Sequence, residues 1–347
     1  DDRIFDRELV HPTWKRENLN RRYSAEVSGL NFHLNVLHAY LRPRPGGRPA
    51  VATLIPNYDW LVLQNRGSSR SGHDARSTVW IARRFQTNDM TIFGNVKSPR
   101  GVPVEVPVAV HDPAGLFARL LAEALRDGGI TVEATRTATE ADPRFEGERV
   151  GPVISTPLLT TVRRCNTDSL NLYAEALLKR MATRQTGQAG SWSTGAAVIR
   201  HVIADRVTSP EALRGVRIAD GSGLSRENRI TASLMTRWLA TFARDPELGP
   251  LLADSLAEAG ATGTLDDRFR SVELHGMRVQ AKTGYINGVS CLTGFVIAPD
   301  GRKVIFSVLV NDLVAPGSVG RAKALQEVIA GLVAEDLAAR TLPDAGG

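Results

Sequence analysis

Residues 277–310 limit the fold more tightly than any other stretch of this chain. A short alternating run, Met277 to Ala281, leads into Lys282-Thr283-Gly284-Tyr285, and an apolar strand from Gly288 to Ala298 follows. A Pro299-Asp300-Gly301-Arg302 turn precedes a second apolar strand, Lys303 to Val310. Such patterning, broken by turn residues, predicts an antiparallel meander. With a helix predicted over Gly320–Arg340 behind it, the meander keeps one edge of its first strand open to a cleft. Lysine is scarce: of 43 basic residues only Lys15, Lys97, Lys179, Lys282, Lys303 and Lys323 are not arginine. An ammonium retained on that strand points to a task for a compact charge with rotatable donors rather than a planar fork.

A chain of 347 residues, 42% hydrophobic and 23% charged, can bury a sizeable core in one large or two medium domains. The net charge is +6, but the arginines are dispersed and no five basic residues run together. Nucleic acid is therefore disfavoured, and an anionic polymer of another kind suits the charge equally well. No apolar run reaches the roughly 18 residues of a membrane span. Asp1 to Asp6 has neither the basic start nor the apolar core of a signal peptide, and reads as a chain entered in mid-domain. Cys165 and Cys291 are too few for a disulfide framework; two buried free thiols are expected, with a single bridge as the other option.

The first half reads as mostly β. Strands are predicted at Gly29–Leu41, Val51–Ile55, Trp60–Gln64, Trp80–Arg84, Met90–Val96 and Val102–Val110, with a polar loop around Gly67-Ser68-Ser69-Arg70-Ser71-Gly72. One amphipathic helix, Pro113 to Asp127, closes this half and is stopped by Gly128-Gly129. The polar, acidic stretch Thr137 to Gly151 is the expected domain boundary. Beyond it a leucine-bearing helix opens at Ser155-Thr156-Pro157, and a strong helix runs from near Ser169 to Arg184. Further helices are expected at Thr194–Ala204, Thr231–Arg244 and Leu251–Glu258. Helices before and after an antiparallel sheet, able to cover both its faces, predict an α/β/α sandwich.

Three stretches can carry chemistry. Ser169-Leu170-Asn171 sets a hydroxyl and a carboxamide together at the start of a helix, although Asp168 or Ser169 could equally serve as an N-cap. There the hydroxyl could pass a proton and the amide hold a peptide group. In the second stretch Lys282 supplies charge, Thr283 a donor for a carboxylate and Gly284 room for a neighbouring backbone, while the Tyr285 N–H is aimed from the strand edge as an oxyanion donor. The third, Asp220-Gly221-Ser222-Gly223-Leu224-Ser225-Arg226-Glu227-Asn228, is a tight polar loop lacking the Gly-Lys-Ser/Thr ending of a phosphate loop. The seven histidines, among them His33, His38 and His73, show no zinc-site spacing, and no Gly-x-Ser-x-Gly elbow occurs.

In this order, the three stretches resemble the penicillin-binding D-alanyl-D-alanine carboxypeptidases and endopeptidases of the class C, low-molecular-mass type. The likeness extends to Ser155-Thr156-Pro157-Leu158, Gly263-Thr264-Leu265, Gly288-Val289-Ser290 and Gly294-Phe295, and upstream to Asp1–Phe5, Asn31–Leu37 and Asp112–Ile130. It implies a β-lactamase/transpeptidase-like α/β/α domain over 153–347 and a β-rich inserted α+β domain over 1–152. It further implies a serine-type acyl-enzyme mechanism on peptidoglycan stem peptides, with β-lactams as ligands. Ser169, Asn171, Lys282 and Tyr285 would be catalytic, and Thr283, Gly284, Asp220 and Ser222 substrate-binding. No metal, cofactor or nucleic acid is expected; a homodimer is one allowed assembly, and the location is periplasmic or otherwise exported. Two residues depart from the family pattern: Leu170 where an acidic residue is common, and Tyr285 where threonine or serine is usual. The larger departure is that no lysine follows a serine by three positions, so the family's Ser-x-x-Lys nucleophile is not found in this sequence. Two expectations follow: the chain is a piece of a longer protein, or it is a muropeptide-binding relative that does not cleave.

Overall fold

The computed structural model describes residues 1–58, 60–70, 77–98, 102–143, 145–148 and 150–340. Ser71, Gly72 and His73 lie outside the described residues. Two compact units form: Asp1–Gly147 with Glu175–Gly195, and Glu148–Ala174 with Ala196–Gly347. In this division residues 175–195 group with the first unit although they lie beyond Gly147 in the sequence.

The first unit contains β1 (Val36–Arg42), β2 (Val51–Ile55), β3 (Leu63–Asn65), β4 (Ser68–Ser69), β5 (Trp80–Arg83), β6 (Met90–Phe93), β7 (Asn95–Val96), β8 (Val104–Ala109) and α1 (Pro113–Asp127). Strand order is β2-β1-β8, all antiparallel, beside a smaller β3-β6-β5 sheet and a β4-β7 pair. Alternate residues of β1, namely Leu37, Ala39 and Leu41, are buried with Ile92, Val108 and α1 residues Leu116 and Leu120. The α1 bounds match expectation because its signals are local: Pro113 in the first turn, an Asp112 carboxylate accepting from Gly115 N–H (3.0 Å), and Gly128 at the end.

Several strand expectations need correction. The run from Gly29 does not become a strand until Val36, because Asn35 Oδ1 accepts from the Phe32 N–H (2.9 Å) and its amide donates to the Glu26 carbonyl (2.8 Å). These side-chain bonds curl residues 33–35 into a 3-10 turn. The predicted Trp60–Gln64 strand shifts to β3 after a turn closed by Leu61 N–H on the Tyr58 carbonyl (3.0 Å). The Met90–Val96 run is split at Gly94 (φ 83°), where a Cβ would lie 2.4 Å from the Thr78 carbonyl oxygen. Part of the predicted polar loop is strand β4, paired with β7.

Helix α3 (Asn171–Thr186) contributes Lys179 to the first unit, where it is fully buried. Its ammonium donates to Asp6 Oδ1 (2.7 Å) and the Glu8 carbonyl (2.6 Å) and lies 3.7 Å from the centre of the Trp192 ring. Glu175, also buried, accepts from Trp192 Nε1 at 2.8 Å.

The second unit holds α2 (Leu158–Thr167), most of α4 (Trp192–Val207), α5 (Ala232–Ala243), α6 (Leu248–Ser255), β9 (Ala257–Glu258), β10 (Arg278–Ile286), β11 (Val289–Ile297), β12 (Lys303–Val310) and α7 (Ser318–Ala339). Its antiparallel sheet has the order β12-β11-β10-β9. Register fixes the faces. Val279 and Ala281 pair with Val296 and Gly294 and are buried with Ala330, Ala334 and Leu337 of α7. The alternate residue Phe295 is buried with Leu239 of α5, Ala253 of α6 and Leu256. Helices on both faces give the expected α/β/α sandwich. The helix predicted over Leu251–Glu258 is corrected: α6 stops at Ser255, Leu256 is extended, and Ala257–Glu258 become β9, pairing with Gln280 and Ala281. Among the described residues no helix is long and apolar enough to cross a membrane. Cys165 and Cys291 form no disulfide and are half-buried rather than buried as expected.

Candidate active site

The lysine strand runs through the Lys-Thr-Gly triplet rather than ending at it, because β11 pairs with it residue by residue as far as Ile286. Gly294 permits this pairing: a Cβ there would lie 2.2 Å from the Gln280 carbonyl oxygen. The Val279 carbonyl accepts from Ala259 N–H (2.9 Å), so it faces away from β11. Backbone groups alternate sides along a strand. Those of Ala281, Thr283 and Tyr285 therefore face the same outer edge. β9 covers that edge only at Gln280 and Ala281. Beyond it, Thr283 and Tyr285 have no strand partner there among the described residues.

Ser169 stands between two helices with φ 56°, a left-handed conformation that costs a non-glycine residue about 1–2 kcal/mol. Helix α3 begins two residues later, with Tyr173 N–H on the Leu170 carbonyl (3.1 Å). Asp168 is paired with Arg164 (2.6 Å). The Ser169 hydroxyl accepts from Lys282 Nζ at 2.8 Å, across 113 residues of sequence. Lys282 also donates to the Thr283 carbonyl (2.7 Å). Burial pushes the Lys282 ammonium down to about 8, with the nearby Cys165 opposing the shift.

Thr283 and Gly284 follow Lys282 on β10, and Asn171 lies two residues after Ser169. Thr283 donates to Thr264 Oγ1 (2.8 Å), Gly284 pairs with Cys291, and Tyr285 is exposed. Asn171 is half-buried as the first residue of α3. Asp220 is buried and accepts within its own loop from Gly223 N–H (3.0 Å), Ser225 N–H (2.6 Å) and Asn228 Nδ2 (2.7 Å). Ser222 is half-buried in the same loop, where its hydroxyl accepts from Leu224 N–H at 3.4 Å. Arg226 extends that loop to the β10–β11 turn by donating to the Asn287 carbonyl.

Sequence reasoning singled out neither Thr264 nor Arg226 as a site residue. For Thr264 a usable signal existed: a Gly-Thr pair shortly before a lysine strand. For Arg226 there was none, since nothing local distinguishes it among dispersed arginines.

The family model described as D-Ala-D-Ala carboxypeptidase 3 (S13) matches residues 1–333. A D-alanyl-D-alanine carboxypeptidase of Actinomadura sp. is 30% identical over 351 residues, covering 96% of this chain and 62% of that one. The penicillin-sensitive carboxypeptidase A of Dictyostelium discoideum is 29% identical over 320 residues, covering 87% and 59%. This chain thus spans about three fifths of the length of either relative. Among solved structures, penicillin binding protein 4 of Haemophilus influenzae has the same fold, with a TM-score of 0.76 at 21% identity over 97% of this chain and 74% of that one. The same protein complexed with a β-lactam gives 0.68 at 21% identity, over 89% and 70%.

Proposed function

Because the chain belongs to the D-Ala-D-Ala carboxypeptidase 3 (S13) family, we propose that its second unit carries part of the groove of a serine-type D-alanyl-D-alanine carboxypeptidase or endopeptidase. The substrate would be the stem peptides of peptidoglycan, the chemistry would pass through an acyl-enzyme, and β-lactams would occupy the same groove. The first unit, in this reading, is the accessory domain. Such a substrate requires a periplasmic or otherwise exported location. One observation carries the reading: Lys282 Nζ lies 2.8 Å from Ser169 Oγ.

That contact suits proton transfer to a leaving amine. With Lys282 donating to its oxygen, the Ser169 hydroxyl is left to donate its own proton outward. When the departing nitrogen takes that proton, Lys282 supplies the replacement and is left as the neutral amine. A group near pKa 8 suits the task, since both protonation states are accessible at neutral pH. The Tyr285 N–H on the open edge of β10 would stabilise the developing oxyanion, and Thr283 would receive the terminal carboxylate. Gly284, beside them on the same strand, keeps side-chain bulk away from a peptide laid along that edge. Asn171 would orient the acylated peptide, and the loop of Asp220 and Ser222 would form a neighbouring wall. The attacking serine is not assigned, since no lysine here follows a serine by three positions.

The test is calorimetric titration with a peptide ending in D-Ala-D-Ala, as the free acid and as the C-terminal amide. The acid should bind about tenfold or more tightly, and Lys282→Met should remove that preference. Equal binding of acid and amide, or no binding, overturns the reading. Intact mass after exposure to a penicillin then separates cleavage from recognition: an adduct requires an attacking serine, and an unchanged mass with reversible binding leaves a muropeptide-binding module.

A further inference from the structure

We propose that Thr264 is a specificity-determining residue of this groove: its hydroxyl and that of Thr283 form a paired donor for the C-terminal carboxylate of a peptide ligand. The inference rests on the carboxylate-binding reading above and extends it to a residue outside the Lys-Thr-Gly strand.

Thr264 belongs to a 3-10 turn, Gly263–Leu265, that follows β9 along the edge of β10. The turn is held on three sides. Gly263 has φ +55°, and a Cβ there would lie 2.2 Å from the Thr167 carbonyl oxygen, so the backbone of α2 and the turn touch directly. Leu265 is wholly buried with Ala257, Val279 and Ala281. Thr262 Oγ1 accepts from Glu258 N–H at 2.9 Å. A hydroxyl on so short and so anchored a turn keeps its place beside Thr283.

The two hydroxyls carry two protons between them, and their 2.8 Å bond uses one. Among the described residues neither hydroxyl has another hydrogen-bond partner. One proton is therefore always left to donate: from Thr264 when Thr283 donates to it, and from Thr283 when the bond is reversed. Reversal needs only rotation of the hydroxyl hydrogens, with no movement of heavy atoms. The inner bond polarises the outer donor and strengthens it. An ionised carboxylate accepts and never donates, so it matches this pair in either sense. Thr283 also gives its carbonyl to Lys282, so Ser169, Lys282, Thr283 and Thr264 form one hydrogen-bonded chain.

Either hydroxyl can thus stand in for the other, and the signature is redundancy. In titrations of the 347-residue protein with the free-acid and amide peptides, Thr264→Val and Thr283→Val should each lower the acid preference about threefold. The double variant should abolish it, a loss larger than the product of the two single losses, while Thr264→Ser keeps it. Thr264→Ala removes the hydroxyl without added bulk and carries the same expectation should the valine variant not fold. An acid preference unchanged in Thr264→Val or Thr264→Ala, with Lys282→Met abolishing it, overturns this inference and leaves the parent reading standing. A wild-type protein that binds acid and amide alike, or neither, overturns both.

Discussion

At the level of single residues, Lys282 and Ser169 each make a trade that can be measured. Burial lowers the Lys282 ammonium to about 8 from an ordinary 10.5, so its charge is complete only well below pH 8. Affinity for a carboxylate-ended peptide should be flat below about pH 7 and fall above about pH 8 towards the level of Lys282→Met. The bound carboxylate favours the ammonium, so calorimetry near pH 8 in buffers of different ionisation enthalpy should register proton uptake on binding; its absence would remove Lys282 from the contact. The effect on stability has the opposite sense. The folded state gives up this proton before the unfolded state does, so the penalty for the buried charge is full below about pH 8 and disappears between there and 10.5. Ser169 holds a left-handed backbone while presenting its hydroxyl to Lys282. Ser169→Gly should raise unfolding stability by about 1 kcal/mol in a denaturant titration.

Among the elements, close approaches at two glycines set where the site residues stand. Gly294→Ala drives a methyl group into the Gln280 carbonyl and Ala281, separating β10 from β11. Gly263→Ala collides with the Thr167 carbonyl at a positive φ and displaces Thr264. Each should cost about 2–3 kcal/mol in a denaturant melt, and Gly263→Ala should also weaken the acid preference. These approaches explain what could be read from the sequence and what could not. The α1 boundaries and the β10–β12 meander were legible, because capping residues and period-two alternation are local signals. That Ser169 and Lys282 belong to one site was implied only by the family resemblance, and no local signal brings residues 113 apart into contact. Residues 256–258 were misread as helix because they look helical in isolation; their extended state comes from pairing with Gln280 and Ala281. The contacts that hold the Asp220 loop were not legible either: its buried carboxylate accepts from Gly223, Ser225 and Asn228, contacts that no spacing rule reveals.

On the scale of the whole molecule, the few lysines divide between structure and chemistry. In the first unit Lys179 is fully enclosed, whereas its partner Asp6 keeps about a quarter of its side chain in solvent (27%). Removing the acid strands a buried charge, but removing the base leaves a carboxylate that water can reach. Asp6→Ala should therefore destabilise by about 3 kcal/mol and Lys179→Met by distinctly less, as read from denaturant midpoints; the reverse order would contradict the packing described. Only four lysines remain besides Lys179 and Lys282. At pH 8 an ordinary lysine is less than about 1% free amine, whereas roughly half of Lys282 is unprotonated. A small aldehyde or activated ester applied at that pH should therefore mark Lys282 ahead of the other lysines. The groove thus comes with its own chemoselective handle, suited to attaching a reporter dye or to anchoring an inhibitor by an imine.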